Sequence, residues 1–213
     1  MPLLVGFPMS ANLWVNMDLI GEISLMDHLD FNSLFDQEFA NPLIEQGFSF
    51  VGKGKTLMLE RDNRDLRIIR VGGKSPHPGI MKSVICFRHS FLRLVSSDDT
   101  KTKTLIVDDF PRKLTFDDFD TVLKPTFNYR PNNSGRWPVH EFAYGVQTES
   151  DVAARLRKLL ELVEKCVLPW MNSLTEESEL EQLRLYGEKA WCEKRWIEDY
   201  EQYVSDRTKE RLL

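Results

Sequence analysis

Two arginines and two histidines are the residues of this chain best suited to binding or catalysis. Arg88 and His89 are adjacent in a segment rich in β-forming residues, and Arg136 and His140 lie further along the chain. A guanidinium group binds anions, and an imidazole transfers protons near neutral pH. One interpretation is an enzyme or small-ligand-binding protein that uses these four residues in a cleft between a sheet and the C-terminal helices. The alternative for His89 is an ordinary histidine of a β-sheet.

The segment from Arg136 to Glu141 combines a guanidinium group, an indole ring and two titratable side chains. Arg136 and Trp137 precede Pro138, and His140 and Glu141 follow it. Such a set could bind an anionic or planar ligand. A tryptophan beside a proline more often anchors a loop to the core, because the indole ring buries a large apolar area. The sequence leaves both interpretations open.

Paired aspartates give the middle of the chain an acidic character. The pairs are Asp98 with Asp99, Asp108 with Asp109, and Asp117 with Asp118. Such side chains usually form a solvated rim, but they can also offer a surface to a basic protein, because complementary charge sets association rate and specificity. The net charge of −5 argues against nucleic acid as a partner, since phosphate binding requires a surplus of lysine and arginine.

The sequence motifs of phosphate and metal binding fail on spacing. Gly54-Lys55-Thr56 resembles the end of a phosphate-binding loop, but that motif requires a glycine where this chain has Ser49. The four histidines include no pair four residues apart, and the three cysteines include no CxxC. We therefore predict no cofactor, no metal site and no catalytic motif. The unpaired cysteines suggest a reducing compartment, and we expect the cytoplasm.

Helical periodicity characterises the part of the chain from Leu29 to Gly47. Apolar residues recur there at the spacing of one helix face: Phe31, Leu34, Phe35, Phe39, Leu43 and Ile44. We expect an amphipathic helix that ends at Gly47. Pro42 lies inside the pattern and predicts a kink or a restart, with Asn41 as the cap of a final turn.

Beyond Gly47 the apolar pattern changes to the period of two that is typical of strands. The predicted strands are Phe48 to Val51, Thr56 to Arg61, Leu66 to Val71, Ser83 to Arg93 and Thr104 to Val107. The turns between them are too short for crossover helices, so the sheet must be antiparallel. Further on, Leu114 to Leu123 could be a short acidic helix, and Phe142 to Val146 could be a last strand.

Two C-terminal helices complete the predicted architecture. Thr148 and Asp151 have the spacing of a capping box, with aspartate where that motif has glutamate or glutamine. An apolar stripe follows until Pro169, which we expect to end this helix. A second helix is expected from Ser173 to about Asp206. The fold class predicted is α+β: an antiparallel β-meander of about five strands packed against an N-terminal helix and two long C-terminal helices.

Residues 1–25 differ from the rest because they are apolar and contain no lysine or arginine. Polar residues interrupt them, so they do not make a convincing signal peptide, and no window is long enough to span a bilayer. We expect an apolar arm or leader there, and a single α+β domain at residues 26–213 whose C-terminal helical hairpin covers about 149–206. No membrane partner is expected.

Short motifs in this chain resemble those of the DUF4304 domain family, an uncharacterised bacterial family. The motifs are Leu43 to Phe48 at the end of the first helix, the basic turn at Gly52 to Lys55, Trp137-Pro138, and Leu168-Pro169-Trp170. The resemblance covers roughly residues 29–183 and implies no catalytic residues. Members of the family resemble small intracellular immunity or accessory proteins.

The sequence as a whole favours an intracellular protein-binding module. A well-specified fold without a catalytic motif suggests an immunity or defence-associated accessory protein that binds a protein partner, such as a basic toxin or effector. The oligomeric state is not predicted. The binding candidates are Arg88, His89, Asp108, Asp109, Asp117, Asp118, Arg136, Trp137, His140 and Glu141.

Overall fold

A computed structural model describes residues 26–52, 56–70, 79–95, 97–100, 105–115, 126–128, 140–186 and 193–211. These residues form one antiparallel sheet with an N-terminal helix and C-terminal helices, so the predicted α+β class is confirmed. Among them, no helix has the length and apolar character that crossing a bilayer would demand. The N-terminal arm predicted at residues 1–25 lies outside the described residues.

The sheet is an antiparallel meander with one added strand. Its strands are β1 (Ser49–Val51), β2 (Thr56–Arg61), β3 (Arg64–Arg70), β4 (Ile80–His89), β5 (Arg112–Thr115), β6 (Thr126–Asn128) and β7 (His140–Ala143). β1 to β6 are neighbours in sequence order, and β7 pairs with β4. The long β4 makes this possible, since Ile85 to Phe87 pair with β5 while Ile80 to Ser83 pair with β7.

The second half of the sheet differs in detail from its prediction. The described residues of the segment expected as the fifth strand, 105–107, do not form a strand. A short 3-10 helix begins there at Val107–Asp109, and β5 begins three residues later. Leu114, expected to begin a helix, lies in β5, pairs with Ile85 and is fully buried. Burial against a neighbouring strand decided its conformation, which no local pattern indicated.

The N-terminal helix runs without a break through Pro42. It consists of α1 (His28–Phe35), a π turn (Asp36–Ala40) and α2 (Asn41–Glu45), and the Asp27 side chain caps its first turn. Asn41 has helical backbone angles, so it is not a cap. In the π turn its N–H donates to the Asp36 carbonyl, five residues back. We attribute the unbroken helix to this wider turn, which accommodates the proline ring.

A π turn also allows the next helix to continue past Pro169. α3 (Glu149–Leu162) is followed by a π turn (Val163–Val167) and α4 (Leu168–Ser173). Pro169 is the second residue after this π turn, as Pro42 is after the first, so the prediction that Pro169 ends the helix is wrong. The predicted cap of α3 is present, since the Thr148 hydroxyl accepts the Asp151 N–H.

The segment predicted as one last helix contains two helices, α5 (Glu176–Tyr186) and α6 (Glu193–Arg211). Thr175, not Ser173, caps α5, because its hydroxyl accepts the Ser178 N–H at 3.1 Å. Two ion pairs join the helices, Arg207 with Glu176 at 3.1 Å and Arg184 with Glu201 at 2.5 Å. The order of these contacts shows that α5 and α6 are antiparallel.

The first helix and α3 lie side by side and run in the same direction. Along their length, three contacts join them or their adjoining residues: His28 with Tyr144 at 3.2 Å, Glu38 with Arg157 at 3.5 Å, and Gln46 with Glu164 at 2.5 Å. Because the residue numbers rise together, both helices begin at the same end of the molecule. These helices cover one face of the sheet and form the main core with it.

Two smaller cores complete the molecule. One joins the α5–α6 pair to the turn after β4 and contains Leu92, Leu180, Leu183, Trp196 and Tyr200. The other lies on the second face of the sheet and contains Val84, Cys86 and Phe110. Strand residues alternate between faces, so Ile85, Phe87 and His89 face the helices while Cys86 and Arg88 belong to the second face.

Candidate functional site

Arg88 and His89 are both buried, on opposite faces of the sheet. They are consecutive residues of β4, and consecutive strand residues point to opposite sides. The two side chains therefore cannot meet in one cleft. Each has its own environment, and neither environment opens to solvent.

His89 is enclosed by aromatic rings on the helix side of the sheet. Its Nδ1 lies 2.8 Å from the Tyr200 hydroxyl oxygen, the Phe87 ring meets it edge-on at 5.1 Å, and Phe91 stacks on it at 5.4 Å. Nε2 is buried and has no hydrogen-bond partner among the described residues. Burial, assisted by the charge of Arg64, lowers the pKa of His89 to about 3. The imidazole is therefore neutral near pH 7 and is a poor proton carrier there.

Arg88 holds the chain where it turns away from β4. Its Nε donates to the His89 carbonyl at 3.2 Å, and its Nη2 donates to the carbonyls of Leu92 and, at 3.4 Å, Thr100. Burial lowers the pKa of Arg88, while the nearby carboxylate of Asp65 acts in the opposite direction. Three backbone carbonyl acceptors indicate a structural role for this guanidinium group.

His140 lies far from His89 along the sheet. Its backbone pairs with Ser83, which is six residues from His89 on β4, a separation of roughly 20 Å. Glu141 pairs with Lys82, further still from His89. Arg136 and Trp137 lie outside the described residues. The described part of the chain therefore does not bring the expected cleft residues together.

The acidic residues predicted as a binding surface lie in different environments. Asp109 is buried, and its carboxylate accepts the backbone N–H groups of Val95 at 3.0 Å and Ile106 at 2.9 Å. It therefore fastens two loops together and does not belong to an exposed rim. Asp108 is half-buried, with one carboxylate oxygen that has no hydrogen-bond partner among the described residues. Asp117 and Asp118 lie outside the described residues.

Two buried ion pairs were not anticipated from the sequence. The Arg112 guanidinium group on β5 donates two hydrogen bonds, of 2.8 and 2.7 Å, to the Glu179 carboxylate on α5. Arg67 makes a similar pair with Asp65 on its own strand, at 2.9 and 3.0 Å. The first pair joins residues far apart in the chain, and Glu179 had the pattern of an ordinary acidic first turn. Nothing in the local sequence could have revealed it.

An exposed surface is present where the first helix and α3 begin together. Leu29 is 75% exposed and Val146 is 71% exposed, and they lie within two residues of the His28–Tyr144 contact. The turn that carries Val146 is held in place because the Gly145 N–H donates to the Gly79 carbonyl at 2.9 Å. We call residues 26–30 and 144–151 the acidic end.

The charge of the acidic end is of one sign. Its two segments contain four carboxylate residues, Asp27, Asp30, Glu149 and Asp151, and neither lysine nor arginine. All four are exposed. Asp27 caps α1, and the Asp151 carboxylate accepts a hydrogen bond from the Thr148 hydroxyl at 2.7 Å. Part of this negative charge therefore stabilises the first turns of the two helices. Asp30 and Glu149 lie in the same two first turns, where the helix dipole also favours them.

Among the described residues, no group of histidine, cysteine, aspartate and glutamate side chains could hold a metal ion. Cys86 is buried, and burial raises the pKa of its thiol to about 12, which makes it unreactive. No family model, no curated protein and no solved structure matches the chain. The resemblance to the DUF4304 family stays a prediction.

Proposed function

We propose that this protein is a protein-binding module that docks a basic partner on its acidic end. The observation that carries the proposal is a pair of aliphatic side chains, Leu29 at 75% and Val146 at 71% exposed, that lie within two residues of the His28–Tyr144 contact. A contiguous apolar surface rimmed by polar residues is typical of protein-interaction sites, and we propose that Leu29 and Val146 contribute to such a surface. Four carboxylates accompany them, and the described residues of this end offer no cation in return.

The chemistry of this surface defines the partner. Leu29 and Val146 would contact an apolar spot on the partner, while Asp30 and Glu149 would attract lysine or arginine residues around it. Attraction of this kind raises the association rate and suppresses acidic competitors, and it weakens as salt is added. The partner is therefore a protein with an apolar patch in a basic surround.

The backbone of the acidic end is suited to docking. Asp27 and Thr148 cap the two helices, Tyr144 stacks on Phe31 with ring centres 3.9 Å apart, and Gly145 is bonded to Gly79. Leu29 and Val146 therefore project from a surface that is already ordered. Little conformational entropy needs to be lost at this site when a partner binds.

Within this class, we favour an immunity or defence-associated accessory protein. The support is the family resemblance of the sequence and the fit of an acidic surface to a basic toxin or effector. An immunity protein of this kind would act by covering the active or binding surface of its target. Co-expression with a basic toxin encoded beside the gene would test this role directly, since protection requires the complex to form in the cell.

The docking surface can be tested with matched variants. The chain would be used as bait in extracts of its source organism, and a captured basic protein would then be purified and its dissociation constant measured by calorimetry. The double substitution Leu29→Ser and Val146→Ser should weaken binding at least about tenfold, or 1.4 kcal/mol, and added salt should weaken the wild-type complex. Both residues are exposed, so the fold should be unaffected.

Leu185→Ser is the control, because Leu185 on α5 is 72% exposed and lies outside the acidic end. It should leave the dissociation constant unchanged. Equal affinity of the double variant and the wild type would contradict the acidic end as the docking site. An acidic partner, or a complex that is indifferent to salt, would contradict the proposed chemistry.

A further inference from the structure

Among the described strands, β1 forms one edge of the sheet. Among the described strands it pairs only with β2, through Ser49 with Met58, Phe50 with Leu57 and Val51 with Thr56. No described strand pairs with the main-chain N–H and C=O groups on its other side, and this is the side that a further strand would use. Such an edge is a template for pairing with another chain.

The edge is short, at three residues, but it lacks the charged residues and proline by which proteins often prevent such pairing. Protected edge strands carry charged residues or proline, and β1 has the uncharged sequence Ser49-Phe50-Val51. Phe50 at its centre is 41% exposed, and Ile44, in the last turn of the helix that leads into β1, is 37% exposed. Main-chain groups that no described strand pairs with and exposed apolar side chains thus occur in the same short segment.

We propose that β1 pairs with β1 of a second copy of this chain across a twofold axis. In the antiparallel arrangement centred on Phe50, the two Phe50 residues lie opposite each other and each Ser49 lies opposite Val51. No like charges meet in the paired strands, and opposed aromatic side chains stabilise antiparallel pairs. The same edge is used by both copies, so the contact closes at two and does not propagate.

This pairing leaves the acidic end free. Residues 28–45 form a continuous helix, with the acidic end at its start and the turn into β1 after its last residue. At about 1.5 Å per residue the two surfaces are roughly 25 Å apart. The dimer would therefore present two acidic ends, and a bivalent partner would bind it more tightly than the monomer.

Substitutions of opposite charge at Phe50 test the register of the pairing. Phe50→Lys and Phe50→Glu each place two like charges opposite each other at the axis, so each variant should be monomeric by sedimentation velocity at concentrations where the wild type is a dimer. An equimolar mixture of the two variants should form a dimer again, because lysine then faces glutamate. Leu185→Lys adds a charge at an exposed site away from β1 and should leave the dimer intact.

The rescue by mixing distinguishes loss of pairing from loss of folding. A wild type that remains monomeric from micromolar to millimolar concentration would overturn the proposal, as would a dimer that tolerates both single variants. Two monomeric variants that fail to associate when mixed would also overturn the pairing at Phe50. A monomeric wild type that binds extended peptides along β1 would assign the edge to another occupant.

Discussion

Single buried residues show how strongly environment changes the role of a side chain. His89 and Arg88 have the residue types of a binding or catalytic site, yet both are buried in packed surroundings on opposite faces of the sheet. His89 is neutral because charging it would remove the solvation of an imidazolium ion without a compensating anion. Its titration should therefore be visible in the stability of the fold.

His89 predicts a loss of stability in acid. Its folded pKa of about 3 lies below the unfolded value of 6.5. Unfolded chains therefore take up a proton that folded chains do not, and the stabilisation present above pH 6.5 is lost as the pH falls toward 3. Between pH 7.5 and 4.5 this residue should reduce the free energy of unfolding by about 2–3 kcal/mol. Urea unfolding followed across this range measures the slope.

His89→Phe should flatten that slope, since the carboxylates that contribute the rest remain in place. Tyr200→Phe is the matched control: it removes the hydroxyl that meets Nδ1 but keeps the titrating imidazole, so the slope should persist. An unchanged pH dependence in His89→Phe would show that folding does not lower the pKa of this histidine.

At the scale of elements, one buried ion pair connects the sheet to the C-terminal helices. Arg112 on β5 and Glu179 on α5 are both buried, and their two hydrogen bonds fix the position of α5 over the sheet. A buried pair contributes little net stability, because desolvation offsets the attraction. Loss of one member is costly, since the other charge is left in the interior without its partner.

We expect Arg112→Met to reduce the free energy of unfolding by about 3–5 kcal/mol. The double variant with Glu179→Leu should regain most of this loss, because no unpaired charge remains. Urea titrations of wild type, both single variants and the double variant form the thermodynamic cycle. If the losses of unfolding free energy in the two single variants add up to the loss in the double variant, the two side chains do not depend on each other.

The π turns are a second feature at this scale. Pro42 and Pro169 were expected to interrupt or end their helices, but each is the second residue after a π turn and the helix continues. Apolar residues on both sides of each proline must be buried in the core, and this requirement keeps the chain helical. Helix period and capping at Thr148 were predictable from the sequence, whereas local widening of the helix was not.

At the scale of the whole molecule, the turn after β4 attaches the α5–α6 pair in addition to the Arg112–Glu179 pair. Asp199 on α6 accepts the Arg93 backbone N–H at 2.8 Å and its Nε at 2.6 Å, and the Trp196 indole donates to the Arg93 carbonyl at 3.1 Å. Leu92 and Tyr200 lie in the small core that this attachment closes. The α5–α6 pair should open locally when the attachment is weakened.

Asp199→Ala should cost about 1.5–3 kcal/mol, the range for hydrogen bonds to a charged group, and it should speed amide exchange in α6 by about tenfold or more. Amide exchange in β3 and β4 should change less, because these strands belong to the main core and α6 does not. Glu198→Ala is the control. Glu198 contacts the same arginine at 2.8 Å but is exposed, so its loss should cost at most about 1 kcal/mol. Equal effects of the two substitutions would exclude Asp199 as the main point of attachment.

The sequence by itself determined the fold class, the presence of the first four strands and the start of α3, because strand alternation, helical period and capping are properties of neighbouring residues. The predicted end of the fourth strand is wrong, since β4 ends at His89 and not at Arg93. Only the tertiary structure decided which polar residues are buried. The roles of His89, Asp109 and the Arg112–Glu179 pair follow from contacts between distant segments, and no local pattern encodes them. The acidic end is decided in the same way, since it exists only because two helices far apart in the chain begin side by side.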